Sequence, residues 1–137
     1  MSFVLDGSVA LTWCFDDEKT PATEALFDQA GIDGVIVPLI WPAEVLNGLL
    51  VAERRKRISS FKREEMAKIL YGLLLDFDPE TNGRIWIDTV KLAHQYSLTI
   101  YDATYLELAL RLKLPLATLD KDLQRAGKKL KIEMWGA

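Results

Sequence analysis

The sequence has one cysteine, Cys14, and one histidine, His94, among its 137 residues. A single thiol rules out a disulfide framework within the chain and a thiolate metal cluster. His94 falls in the middle of a predicted helix and reads as a packing or surface residue, so no Ser–His or Cys–His constellation is on offer. Long apolar runs are also missing. The most membrane-like window, Val35–Ala52, is broken by Pro38, Pro42, Glu44 and Asn47, and reads as a strand, a turn and a core helix. The N-terminal "MSFVLDG" has no basic segment and meets an acid at position 6, unlike a signal peptide. No repeat or low-complexity stretch occurs. Nor is there a basic excess: 17 basic residues face 20 acidic ones, a net charge of −3. That balance argues against general nucleic-acid binding, which rewards basic surfaces. Setting aside four acids as a site leaves 17 basic against 16 acidic residues, a nearly neutral remainder. The expectation is a soluble protein of a reducing cytoplasm without a membrane partner, folded as one domain over residues 1–137.

What is present is an alternation of short apolar runs with helix-like segments. "FVLD", "VIVP", "LTI", "PLATL" and "LKIEMW" read as buried strands, with a further short strand possible in "DFDPETNG". Helices are expected over Ser8–Phe15, Pro21–Ala30, Pro42–Arg57, Phe61–Leu75, Gly83–Tyr96 and Asp102–Lys113. A short one in "DKDLQRAG" should be stopped by Gly127. Thr20 before Pro21 is a natural N-cap. Such alternation predicts an α/β fold, a three-layer α/β/α domain with a central, mostly parallel sheet. Sheets of this class place their sites beyond the C-terminal strand ends.

Acids cluster at that edge. Asp6 follows the first run, Asp102 follows "LTI", Asp120 follows "PLATL", and Glu44 opens the helix after the second strand. Each alone is explained as a helix cap or a first-turn charge. Together, with no Lys or Arg between them, they would gather like charges in one pocket, which needs a cation or retained protons. An all-oxygen set suits Mg²⁺ or Mn²⁺ and not zinc. An ion so held lowers the pKa of a bound water and orients a phosphate. Asn47 lies three residues after Glu44, on the same helical face. Ser8 and Thr118 each lie two residues from an aspartate, able either to support the site or to bond locally to backbone.

The blocks "VLDGSVALTW", "PAEVLNGLLVAERRKRIS" and "LTIYDATYLELALRLKLPLATLDKDL" resemble those of PIN-domain ribonucleases, and among them the VapC-type toxins of type II toxin–antitoxin pairs. The resemblance covers essentially the whole chain in order. It implies a Mg²⁺- or Mn²⁺-dependent endoribonuclease. Asp6, Glu44, Asp102 and Asp120 would be the catalytic and metal-binding acids. Ser8, Asn47 and Thr118 would support them, with Asp122 as a nearby spare or a helix N-terminal charge. It also implies an RNA substrate, a small cognate antitoxin and a homodimer. Lys56 stands where the family often has a glycine cap, and is expected to lengthen its helix.

The basic run at Glu53–Arg57 offers Arg54, Arg55 and Arg57 either as a solvated helix end or as contacts to RNA or an acidic partner. Three other readings stay open. A catalytically silent PIN-like interaction module would keep the fold without turnover. A phosphoacceptor signalling domain would want an adjacent acid pair after the first strand, where Asp6 stands beside Gly7. A haloacid-dehalogenase-like phosphatase would want an acid where Ser8 stands.

Overall fold

Three hydrophobic residues at Phe3–Leu5 form β1, each with no solvent exposure. Because neighbours along a strand point to opposite faces, a strand buried at every position is covered on both sides. Four more strands join it: β2 (Val35–Val37), β3 (Leu75–Phe77), β4 (Leu116–Ala117) and β5 (Met134–Trp135). Their order is β3-β2-β1-β4-β5, and all four pairings are parallel. The computed structural model describes residues Met1–Gly136; Ala137, the last residue of the expected domain, lies outside them.

Helices supply the crossovers. They are α1 (Gly7–Thr12), α2 (Pro21–Asp33), α3 (Trp41–Arg54), α4 (Ser60–Tyr71) and α5 (Thr81–Arg84). After a π-helical turn at Ile85–Thr89 come α6 (Val90–Tyr96), α7 (Ile100–Leu112) and α8 (Lys121–Lys129). Thr20 caps α2 as expected, in a reciprocal capping box with Thr23. Helix α7 packs on β1 and β4 and is buried from Ala103 to Ala109. The largest fully buried side chains, Trp41 and Tyr105, come from α3 and α7.

The topology locates the site before any side chain is considered. The chain lays β1, β2 and β3 outward in one direction, then returns to the other side of β1 for β4 and β5. Strand order therefore reverses between β1 and β4, and crossovers that diverge at such a reversal leave a crevice at the C-terminal strand ends.

Several local expectations are corrected. "LTI" is not a strand. Ser97 ends α6 in the left-handed conformation, Thr99 is extended, and Ile100 already begins α7. Ser97 and Thr99 cap the helices on either side, so only Leu98 lies between the caps; the further short strand expected in "DFDPETNG" is present as β3, which begins one residue earlier at Leu75. Helix α2 runs on through Gly31 to Asp33, and the chain turns at Gly34, whose φ is 75°. Gly127 does not stop α8. It lies inside the helix where Met134 presses close; an added Cβ would stand 2.9 Å from the Met134 methyl carbon. Lys56 does not lengthen α3. It takes the left-handed conformation itself, with φ 62°. Its N–H donates to the Glu53 carbonyl, and the Arg57 N–H to the Ala52 carbonyl, each at 2.9 Å. That pair of bonds is a Schellman motif, closed here by lysine in place of glycine.

Candidate active site

Asp6 is the first residue beyond β1. Its backbone still pairs with β4, donating to the Ala117 carbonyl at 3.0 Å, and its own carbonyl accepts from Val9 and Ala10 as α1 begins. Its carboxylate does not cap that helix. Instead Oδ2 accepts from the Ser8 hydroxyl at 2.8 Å and the Thr118 hydroxyl at 2.7 Å. Each hydroxyl in turn accepts a backbone N–H: Leu119 on Ser8 at 3.0 Å, Asp120 on Thr118 at 3.1 Å. The chain of donors runs amide, hydroxyl, carboxylate, and it fixes the rotamer of Asp6 from the loop after β4. Thr118 is fully buried and Asp6 is 5% exposed.

The other acids arrive by different routes. Asp120 is the N-cap of α8, with Oδ2 accepting from Leu123 N–H at 2.8 Å. Asp102 is not a cap. Thr99 is: its hydroxyl accepts the Asp102 N–H at 3.1 Å and also supports the Asp102 carboxylate, which feels the charges of Asp120 and Asp6. Glu44, in the first turn of α3, accepts a hydrogen bond on Oε1 from the Tyr105 hydroxyl at 3.1 Å. Asp102 is therefore not at a strand end, but α7 carries it to the same edge.

Electrostatics show that the four acids share one field. Burial pushes Asp6 above its ordinary range; the Asp120 charge adds to this, while the Thr118 and Ser8 hydroxyls oppose it. Burial raises Asp102, and the Asp120 and Asp6 charges push it further. Glu44 rises to about 7, mainly by burial, with Asp6 and Asp102 adding and Tyr105 opposing. Burial, then the charges of Glu44, Asp6 and Asp102, keep the Tyr105 phenol protonated and a permanent donor. Among the described residues none of the four acids forms an ion pair.

Among the described residues no three His, Cys, Asp or Glu side chains are grouped tightly enough to form a metal cage. Unneutralised carboxylates repel, and Asp6, Glu44 and Asp120 are each tied by separate hydrogen bonds. The donor set fits a hard divalent ion all the same. Mg²⁺ keeps several waters and needs only one or two carboxylates.

The remaining candidates separate. Asp122 is exposed and 3.0 Å from Arg125, although its charge reaches Asp102. Asn47 is exposed on α3, one turn from Glu44. Arg57 bonds Glu18 at 2.8 Å and lies 4.4 Å over the Phe15 ring, so it fastens the loop after α1. Arg54 and Arg55 are exposed, whereas Arg63 pairs with Glu53. Sequence reasoning missed Tyr105 and Thr99. Tyr105 is three residues after Asp102 and so on its face, which was the available signal.

A family model described as "PIN domain" matches residues 3–129. The chain belongs to the PIN-domain family. No curated protein matches it by sequence. Solved structures share its fold. PAE2754 from Pyrobaculum aerophilum superposes with a TM-score of 0.68 at 19% identity, over 92% of this chain and 84% of that one. FitAcB from Neisseria gonorrhoeae gives 0.66 at 18%, over 99% and 97%. VapBC2 from Rickettsia felis, bound to a DNA fragment from its promoter, gives 0.64 at 11%, over 98% and 97%. Among the described residues of this PIN domain no helix is long and apolar enough to cross a membrane.

Proposed function

We propose that this PIN domain is a metal-dependent endoribonuclease toxin of the VapC type, acting in the cytoplasm as a homodimer and held in check by a cognate antitoxin. One observation carries the reading. Asp6, Glu44, Asp102 and Asp120 lie within reach of one another's charge near the strand-order reversal, none of them pairs with a cation among the described residues, and burial with mutual repulsion raises the pKa of the first three. A site of that kind is completed by a hard cation. Asp6, Asp102 and Asp120 would hold Mg²⁺ or Mn²⁺. When bound, that ion supplies Lewis acidity and an acidified water for attack on a phosphodiester. Ser8 and Thr118 orient Asp6. Glu44, with Oε1 held by Tyr105, would accept a proton from the attacking water. Asn47 and Asp122 lie at the margin as secondary contacts, and Arg54 and Arg55 extend the surface open to RNA or to the partner. By resemblance the products carry 5′-phosphate and 3′-hydroxyl ends. The VapBC2 and FitAcB likenesses support an antitoxin partner, and light scattering of the purified protein tests the dimer.

The deciding experiment incubates the purified protein with single-stranded RNA and Mg²⁺ or Mn²⁺. Cleavage that excess EDTA stops and added metal restores is the expected result. Cleavage that persists in EDTA overturns the mechanism. No cleavage with either metal, by protein that still binds its antitoxin, leaves a silent interaction module.

A further inference from the structure

Tyr105 is a costly residue to bury. It has no solvent exposure, and a buried hydroxyl must find a partner or forfeit its hydration. Its partner comes from another helix 61 positions away, Oε1 of Glu44 at 3.1 Å. Asp102 lies one turn earlier on the same helix, so α7 sets both the position of one acid and the rotamer of another. The phenol is a rigid donor with two side-chain torsions, fixed by the packing of α7 on β1 and β4. The Glu44 oxygen that accepts this bond is held by protein, which fixes the direction in which its other oxygen faces.

On the nuclease reading above, we propose that Tyr105 is a positioning residue that holds Glu44 for work on the attacking water and outside the set of metal ligands. A purely structural alternative runs the other way: Glu44 would serve only to satisfy the Tyr105 hydroxyl. The two make different predictions. In the structural case the hydroxyl matters to folding and not to the rate. In the positioning case it matters to the rate through Glu44 alone, because its only route to the chemistry is that hydrogen bond.

The test uses the full chain as wild type, Tyr105→Phe, Glu44→Gln and the double variant, with Asp102→Asn for comparison. Phe keeps the buried ring, and thermal melts establish that each variant folds. Mn²⁺ affinity is measured by titration calorimetry, and kcat and KM on a fluorogenic single-stranded RNA. Tyr105→Phe should lower kcat by roughly tenfold or more, a fraction of what a positioned base supplies, with KM and the Mn²⁺ Kd within about twofold of wild type. Added to Glu44→Gln, it should cost less than about twofold further, because both act through one group. Asp102→Asn should raise the Mn²⁺ Kd by roughly tenfold or more, which neither Glu44→Gln nor Tyr105→Phe should do.

The proposal is overturned if Tyr105→Phe leaves kcat unchanged, or if its effect multiplies in full on the Glu44→Gln background. It is equally overturned if Glu44→Gln weakens Mn²⁺ binding as much as Asp102→Asn. Wild-type protein that binds Mn²⁺ but cuts no RNA defeats the nuclease reading alone. The binding arm then decides whether Glu44 lies outside the ligand set. Wild-type protein that neither binds Mn²⁺ nor cuts RNA defeats both.

Discussion

Helix α7 carries two acidic clusters, and they are wired in opposite ways. Near its start Asp102 and Tyr105 face Asp6, Glu44 and Asp120, with no ion pair among them. Near its end Glu107 and Arg111 meet Asp78, which follows β3. The Arg111 guanidinium lies 2.7 Å from each carboxylate, and Thr81 donates to Asp78 at 2.6 Å. Burial pushes Asp78 up, but its bonds to Arg111 and Thr81 outweigh that and hold it below its ordinary range. Three acids of the first cluster are held above theirs. Both clusters sit on one scaffold, so burial alone does not set them apart. What differs is whether the protein supplies its own cation. Where it does, the acids tie α7 to the segment after β3. Where it does not, the acids carry an unmet demand for positive charge, which is what the proposed metal would meet.

Removing the internal cation is the strongest way to break the contrast. Arg111→Met keeps much of the side chain's volume but leaves Asp78 and Glu107 buried and unpaired. Breaking a buried pair in this way costs about 3–5 kcal/mol. Urea denaturation of wild type and variant should show that loss at neutral pH. An unchanged midpoint would mean that the cluster is as solvated as a surface pair.

The next effect falls on activity and not on stability. Asp6→Asn keeps an acceptor for the Ser8 and Thr118 hydroxyls but removes charge from the switch point. It should lower RNA cleavage by roughly 100-fold or more, as the loss of a few kcal/mol of charge stabilisation implies. The fold should survive, because desolvation of the Asp6 charge is relieved. Asp78→Asn should do the reverse, losing stability before activity. Melting curves and cleavage rates on the same two variants make the comparison.

Legibility in the sequence followed the same division. The positions of Asp6 and Asp120 just beyond strands were readable because each follows a short, mostly apolar run, the signature of a strand buried on both faces. The crevice was readable because strand–helix alternation forces parallel crossovers. "LTI" misled because a short apolar run just ahead of an acid looks the same whether it finishes a strand or caps a helix; only the Ser97 turn and the Thr99 cap tell them apart. Tyr105 was hidden because an aromatic inside an apolar helix face reads first as core, which it also is. The Arg111 cluster was hidden because Asp78 and Arg111 stand 33 residues apart, and each by itself reads as surface charge.

A smaller effect appears in the pH dependence of the metal-free protein. Glu44 titrates near 7 when folded and near 4.5 when unfolded, so folding favours its protonated form. Its contribution is full below about 4.5 and is lost as pH rises toward 7, because the native state then holds a proton the unfolded state has released. Asp6 and Asp102 act with the same sign. Asp78 acts with the opposite one: its contribution is present above its unfolded value of 3.8 and is lost as pH falls through its lowered folded value. Metal-free stability should therefore decline from about pH 5 to 7, and Glu44→Gln should flatten the decline. Saturating Mg²⁺ should flatten it too, since an ion held by the neighbouring aspartates favours the charged form of Glu44. Chemical denaturation at stepped pH, with and without Mg²⁺, measures this. A stability that rises across the same interval would show that Glu44 is not held protonated.

The smallest effect separates capping from charge at the start of α7. Thr99 caps the helix and accepts the Asp102 N–H. Thr99→Ala should therefore cost about 1 kcal/mol in metal-free protein. Asp102 supplies no cap bond through its carboxylate, and its charge is opposed by burial and by Asp120 and Asp6, against a smaller favourable bond from the Thr99 hydroxyl. Asp102→Asn should then melt at or slightly above wild type when no metal is present. Adding Mg²⁺ should reverse the order, because an ion bound only by the folded state raises stability by RT ln(1 + c/Kd) at free ion concentration c. Wild type and Thr99→Ala should gain alike, whereas Asp102→Asn should gain much less. Equal gains for all three proteins would mean that Asp102 holds no metal. The contrast between the two ends of α7 would then rest on Asp6 and Asp120 alone.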